Sequence, residues 1–191
     1  MIQEQLFDEA AIAARVRELG AAISKDYAGK NPMILGVLTS SAVFVGDLTR
    51  SIEIPCEFDF IALSRYSDTE GIRFIKDTTA SVEGRHILLV EDTIDTGLTL
   101  LYVLKTLRER QAASVEICTL LDRKQRRIAG MDVKYRGFEI PDVFVVGYGL
   151  DYQGRYRELP ALYSHGSWPK ECVSLPRSSR CCWRLPAPRR P

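Results

Sequence analysis

Glu91 and Asp92 stand side by side after an apolar run, Ile87 to Val90, and are followed by Asp95 and then by Thr96-Gly97-Leu98-Thr99. Two adjacent carboxylates suit the paired hydroxyls of a ribose, or a hydrated magnesium ion. On a continuing strand neighbours point to opposite faces, so both reach one ligand only if the backbone turns there. The run from Asp95 to Thr99 supplies hydroxyls, a glycine for close backbone approach and the free amides of a helix start, a combination that favours a phosphate. A ribose with a 5′-phosphate satisfies both halves. Taken singly, each feature has an ordinary explanation as a solvated acid or a helix cap; together in one stretch they point to a binding loop. A P-loop is a poorer explanation because the Gly-Lys-Ser/Thr ending is missing, and a dinucleotide fingerprint is poorer still with only one glycine.

The elements that must hold this loop can be read around it. Asp8 offers an N-cap to a helix within residues 7–27, whose Ile12, Val16, Leu19 and Ile23 recur at helical spacing. Met33 to Leu38 reads as a buried strand, and the hydroxyls of Thr39, Ser40 and Ser41 are available to cap a helix from Ala42 to Leu48. Glu57 to Leu63 is expected as a strand, with Phe74 to Lys76 as the returning half of a hairpin, and Ser64 to Arg73 between them as a long loop. A helix over Leu98 to Arg110 would bury Leu100, Leu101, Val103, Leu104 and Leu107. Val115 to Leu121, Val133 to Arg136 and Asp142 to Val146 complete the expected strands. Strands alternating with helices at this spacing specify an α/β protein with an open, mainly parallel twisted sheet flanked by helices. In such a sheet ligands bind outside the carboxyl ends of the strands, where the acidic stretch falls.

The 191 residues suit one domain, with 46% hydrophobic and 27% charged residues. No window approaches the length of a membrane span, and Met1-Ile2-Gln3-Glu4 does not open like a secretory signal. The expectation is a cytoplasmic protein with no membrane partner. The net charge of +1 conceals an uneven distribution: residues 164–191 hold Lys170 and five arginines against Glu171, a local +5, leaving about −4 for residues 1–163. That balance argues against a nucleic-acid partner. The same tail holds Cys172, Cys181, Cys182 and five of the nine prolines without apolar periodicity. It is read as a poorly ordered appendage to a domain of residues 1–163.

The stretch Glu91-Asp92-Thr93-Ile94-Asp95-Thr96-Gly97-Leu98-Thr99 resembles the phosphoribosyl pyrophosphate (PRPP) motif of type I phosphoribosyltransferases. Thr119 to Arg123, Gly137-Phe138-Glu139-Ile140-Pro141-Asp142 and Phe144 to Tyr152 resemble the hypoxanthine-guanine branch of that family, in matching order from about residue 7 to 163. The resemblance implies a small hood, a flexible flap and a magnesium-dependent transfer of phosphoribose from PRPP to a 6-oxopurine, in a homodimer or homotetramer. By it, Glu91 and Asp92 hold the ribose hydroxyls directly or through Mg2+, and Asp95 is the general base near purine N7. Thr96, Gly97, Leu98 and Thr99 cradle the 5′-phosphate. Phe144 stacks on the purine, the Val145 backbone reads its edge, Asp151 ligands a second magnesium, and Arg157 contacts pyrophosphate. The loop Ser64 to Arg73 corresponds to the flap, with Ser64 and Tyr66 near its Ser-Tyr pair and Arg65 between them.

Two functional positions depart from the pattern. The pyrophosphate loop, normally leucine, a basic residue and glycine, reads Leu38-Thr39-Ser40. The implied consequence is weaker PRPP binding, since a charge is lost and the backbone is restricted. The lysine that donates to the purine 6-oxo group is replaced by Arg123, which can donate but is not a point charge. A PRPP-sensing regulator of the same fold and a xanthine-preferring transferase are the alternative readings.

Overall fold

The computed structural model describes residues 1–65, 72–128 and 130–166. Its centre is a six-stranded sheet in the order β4-β3-β2-β5-β6-β7. These are β2 (Met33–Leu38), β3 (Glu57–Arg65), β4 (Ile72–Lys76), β5 (His86–Ile94), β6 (Ser114–Asp122) and β7 (Tyr135–Glu139). All neighbours run parallel except the β3–β4 hairpin.

Two apolar layers cover the sheet. On one face α1 (Glu9–Asp26) and α2 (Ser41–Arg50) pack Ile12, Val16, Ile23, Phe44 and Leu48 against Leu88, Val90 and Leu120. On the other, α3 (Leu98–Glu109) packs Leu100, Val103, Leu104 and Leu107 against Ile87, Leu89 and Ile117. Such two-faced burial explains the unbroken apolar runs of the central strands. Asp8 caps α1 as expected, its carboxylate accepting from the Ala11 amide at 2.7 Å.

Several expectations change. The β5 backbone does not turn at the acids: the strand continues through Glu91 and Asp92 to Ile94, and Glu91 and Thr93 pair with Thr119 and Leu121 of β6. Ser40 and Ser41 do not cap α2, because Ser40 already has helical angles and makes no cap bond, while the Ser41 hydroxyl donates to the Val37 carbonyl. Leu101 faces outward, 42% exposed. The strand expected at Val133 to Arg136 begins at Tyr135 instead. A second, three-stranded sheet forms the hood, in the order β1-β9-β8, from β1 (Ile2–Phe7), β8 (Phe144–Val146) and β9 (Leu162–His165). Asp142 and Val143 thus precede β8, which lies in the hood rather than the main sheet. Strand β9 runs through Ser164 and His165, two residues beyond the expected domain limit. No helix among the described residues is long and apolar enough to cross a membrane.

Candidate active site

The candidate residues gather at the carboxyl ends of β2, β5 and β6. Asp95, Thr96 and Gly97 turn the chain from β5 into α3, with Gly97 at φ +80° as the residue before the helix. This left-handed angle suits glycine. The Leu98 amide points back to the Thr96 hydroxyl at 3.5 Å. Thr96 is buried, Leu98 exposed and Thr99 half-buried.

Because β5 continues through the acids, they diverge. Leu88 and Val90 face α1 and α2, while Ile87 and Leu89 face α3, and the strand alternation sends Asp92 with the first pair and Glu91 with the second. Asp92 is 2% exposed. Its Oδ1 accepts a 2.9 Å bond from the Ser40 hydroxyl, and its Oδ2 is buried without a hydrogen-bond partner. Burial pushes the Asp92 carboxyl up to about 6, offset only in part by hydrogen bonding, with Ser40 foremost, and by the Arg123 charge.

Across the sheet top, the turn Leu38 to Ser41 follows β2. The Leu38–Thr39 peptide is cis, Thr39 is exposed and Ser40 is 4% exposed. The Ser40 carbonyl lies so close to Gly149 that a Cβ there would sit 2.3 Å from it. Gly149 belongs to a tight turn, Gly147 to Leu150, closed by reciprocal backbone bonds of 3.0 Å. Asp151 follows it. One Asp151 oxygen pairs with Arg157 at 2.7 Å and the other accepts from the Gly154 amide at 2.7 Å. Arg157 also donates to the Gly149 carbonyl at 2.6 Å, so it braces the turn that presents Asp151.

The basic segment after β6 closes the remaining side. Its backbone is tied to the β5 end by Arg123 N to Ile94 O at 3.0 Å and Ile128 N to Thr96 O at 3.1 Å. Arg127 grips the fully buried Asp122 through Nε at 3.1 Å and Nη2 at 2.7 Å. Arg126 then faces the site: its Nε meets Asp95 at 2.9 Å and its Nη1 meets Asp142 at 3.3 Å. Sequence reasoning missed Arg126, since it lies among four basic residues within five positions and nothing local marks it out from the others. Arg123 is 7% exposed and folds back, donating from Nε and Nη2 to the Val143 carbonyl at 3.1 and 2.8 Å. Burial holds its guanidinium below the usual arginine range.

In the hood, Phe144 meets Tyr152 and His165 edge-on, with centroids 5.9 and 6.0 Å apart. His165 stacks on Tyr152 at 4.4 Å, and its Nε2 lies 2.9 Å from the Met1 amino group. Val145 is buried in β8, paired with Ser164. The loop expected from Ser64 to Arg73 is corrected at both ends: Ser64 and Arg65 extend β3 and pair with Arg73 and Ile72 of β4, because the hairpin's ladder continues past the apolar residues, and Tyr66 falls outside the described residues.

The described residues contain no cluster of three or more His, Cys, Asp or Glu that could hold a metal ion. Magnesium needs none, because it keeps several waters and is usually held by one or two carboxylates together with substrate phosphates. The unpartnered Asp92 Oδ2 and the acidic side chains Glu91 and Asp151 are the hard oxygen donors such an ion takes.

Residues 3–153 match the model of the phosphoribosyl transferase domain. Among curated proteins, the chain is 44% identical over 163 residues to the hypoxanthine-guanine phosphoribosyltransferase of Bacillus subtilis (strain 168), covering 83% of this chain and 91% of that one. The Streptococcus pneumoniae (strain ATCC BAA-255 / R6) protein of the same name matches at the same identity and coverage. Among solved structures, a Bacillus anthracis hypoxanthine-guanine phosphoribosyltransferase superposes with a TM-score of 0.84 at 35% identity, over 87% of this chain and all of that one. The hypoxanthine phosphoribosyltransferase of Staphylococcus aureus, in its tetragonal crystal form, gives 0.82 at 41% identity, over 85% of this chain and 91% of that one.

Proposed function

The chain belongs to the phosphoribosyltransferase family with the type I fold, and from that premise we propose that it salvages hypoxanthine or guanine, joining either base to PRPP to give IMP or GMP and pyrophosphate. The observation that supports this reading most is convergence. Ser40 joins the turn after β2 to Asp92 and to the Gly147–Leu150 turn, and Arg126 joins Asp95 to Asp142, which leads into Phe144. The turn after β2, both parts of the β5 loop, the turn before Asp151 and the approach to Phe144 are thereby each linked to another.

In this reading the 5′-phosphate rests on the amides and hydroxyls of Thr96, Gly97, Leu98 and Thr99 at the α3 N-terminus, where the helix dipole favours an anion. Glu91 and Asp92 leave β5 on opposite faces, so they would serve different groups: Asp92, through its unpartnered Oδ2, a metal at the ribose, and Glu91 the ribose hydroxyls from the other face. Asp151 would hold the metal at pyrophosphate. Magnesium, when bound, neutralises charge on the leaving pyrophosphate. Leu38, Thr39 and Ser40 offer pyrophosphate their backbone, with Arg157 as the nearby cation. Phe144 and the Val145 backbone hold the purine. The C1′–O bond to pyrophosphate breaks with its electron pair leaving on oxygen, and purine N9 bonds to C1′. The purine loses one proton, and Asp95 takes it from N7, a role worth roughly 10²–10⁴ in rate.

Arg123 donates from Nε and Nη2 to the Val143 carbonyl, and in this reading its guanidinium would also supply the donor to a 6-oxo group. A 6-oxopurine is favoured over adenine because an amino group cannot accept that bond. The enzyme would act in the cytoplasm as a dimer or tetramer. Incubation with PRPP, magnesium and each of hypoxanthine, guanine, xanthine and adenine tests the reading. Nucleotide from hypoxanthine or guanine is expected. PRPP binding with no turnover of any base would overturn it in favour of a sensor, and turnover of xanthine alone in favour of a xanthine enzyme.

A further inference from the structure

A serine beside a helix start ordinarily accepts a capping bond, yet Ser40 makes none. Its hydroxyl instead reaches Asp92, 52 positions away in sequence, at 2.9 Å between two buried residues. Its carbonyl is meanwhile the backbone atom that closes on Gly149. One residue therefore touches the turn after β2, the end of β5 and the turn that presents Asp151. With one Asp92 oxygen fixed by Ser40, the other is left without a protein partner.

We propose that Ser40 is a positioning residue for PRPP: its hydroxyl locks the Asp92 carboxylate to the pyrophosphate turn, holding the ribose and pyrophosphate halves of the site in one register. This rests on the phosphoribosyltransferase reading above. The usual glycine of the loop could not make the bond, so the hydroxyl is a device of this chain.

The test compares wild type with Ser40→Ala and Ser40→Gly, alone and combined with Asp92→Asn. PRPP affinity is read twice, as KM and by calorimetry without a purine. Both single variants should weaken PRPP about tenfold, the size expected for one hydrogen bond to a charged acceptor. The purine KM should stay within about twofold, and Ser40→Ala should cost clearly less once Asp92 is already asparagine. A purely structural role would raise both KM values together and lower the melting temperature. PRPP affinity within about twofold of wild type in both variants, or independent effects of Ser40 and Asp92, would overturn the proposal. A wild type that binds PRPP but turns over no base fails the enzyme reading instead, and calorimetry still decides the role of Ser40.

Discussion

Replacing Gly149 with alanine places a methyl group against a backbone carbonyl that has no room for it. Gly149 sits at φ +95°, and its Cβ would lie 2.3 Å from Ser40 O, where ordinary contact begins at 3.4 Å. One of the two turns must therefore retreat by about 1 Å. The left-handed angle costs alanine about 1–2 kcal/mol, and overpacking against fixed backbone adds about 1–3 kcal/mol. The unfolding free energy should fall by about 2–5 kcal/mol. Gly29 separates the contributions: it has φ +76° and nothing within 4 Å of its Cβ position, so Gly29→Ala carries the dihedral cost alone. Urea denaturation followed by circular dichroism gives both values. Because one of these turns carries Ser40 and the other presents Asp151, Gly149→Ala should also raise the KM for PRPP several-fold, whereas Gly29→Ala should leave it unchanged. Equal stability losses in the two variants, with a normal KM for PRPP in Gly149→Ala, would refute the close approach as the element that sets the pyrophosphate turn.

Two further outcomes concern charged groups. Arg126 spans two acids with a fork that a lysine lacks. Arg126→Lys should therefore lower kcat roughly ten- to a hundredfold through misplacement of Asp95, and a wild-type kcat in steady-state assays would contradict this. Asp59 is pushed up by burial, but the Thr79 amide, the Lys76 ammonium and the Phe60 amide outweigh that and hold it at about 2. Its stabilisation is complete above its ordinary value, near pH 4, and is lost as pH falls through about 2. Asp59→Asn should cost about 1–2 kcal/mol at pH 7, after allowance for its partial exposure, and close to nothing at pH 2. A loss that is equal at both pH values would show that the ionised carboxylate is not the source.

What could be read from the sequence was what local pattern decides. The Asp8 cap, the spacing of Ile12, Val16 and Leu19, and the apolar run Met33 to Leu38 each carry their own signal, and α1 and β2 appear where that signal lies. Strands β1 and β9 carry none. They pair across more than 150 residues, Ile2 with His165 and Phe7 with Leu162, and their exposure follows no clear alternation. The course of β5 past its acids was also hidden, since propensity turns unfavourable at Glu91 and Asp92 while pairing with β6 overrides it. For the same reason the hydroxyls of Ser40 and Ser41 read as caps, although their partners, Asp92 and the Val37 carbonyl, are supplied by the folded sheet. Arg126 is set apart from the rest of its basic segment by what it faces. The side chain of Lys124 is exposed, whereas that of Arg126 is 11% exposed against Asp95.

The proposed chemistry depends on a carboxylate at position 95 that moves a proton while other groups hold PRPP. Asp95→Asn keeps the shape and can still accept from Arg126, but it cannot take a proton from purine N7. Rapid-quench measurement of nucleotide formation with PRPP saturating, beside calorimetric PRPP binding, separates the two functions. The chemical step should slow by roughly 10²–10⁴, with PRPP affinity within about threefold of wild type. An equal loss of rate and of PRPP affinity would show that Asp95 holds substrate instead of moving its proton.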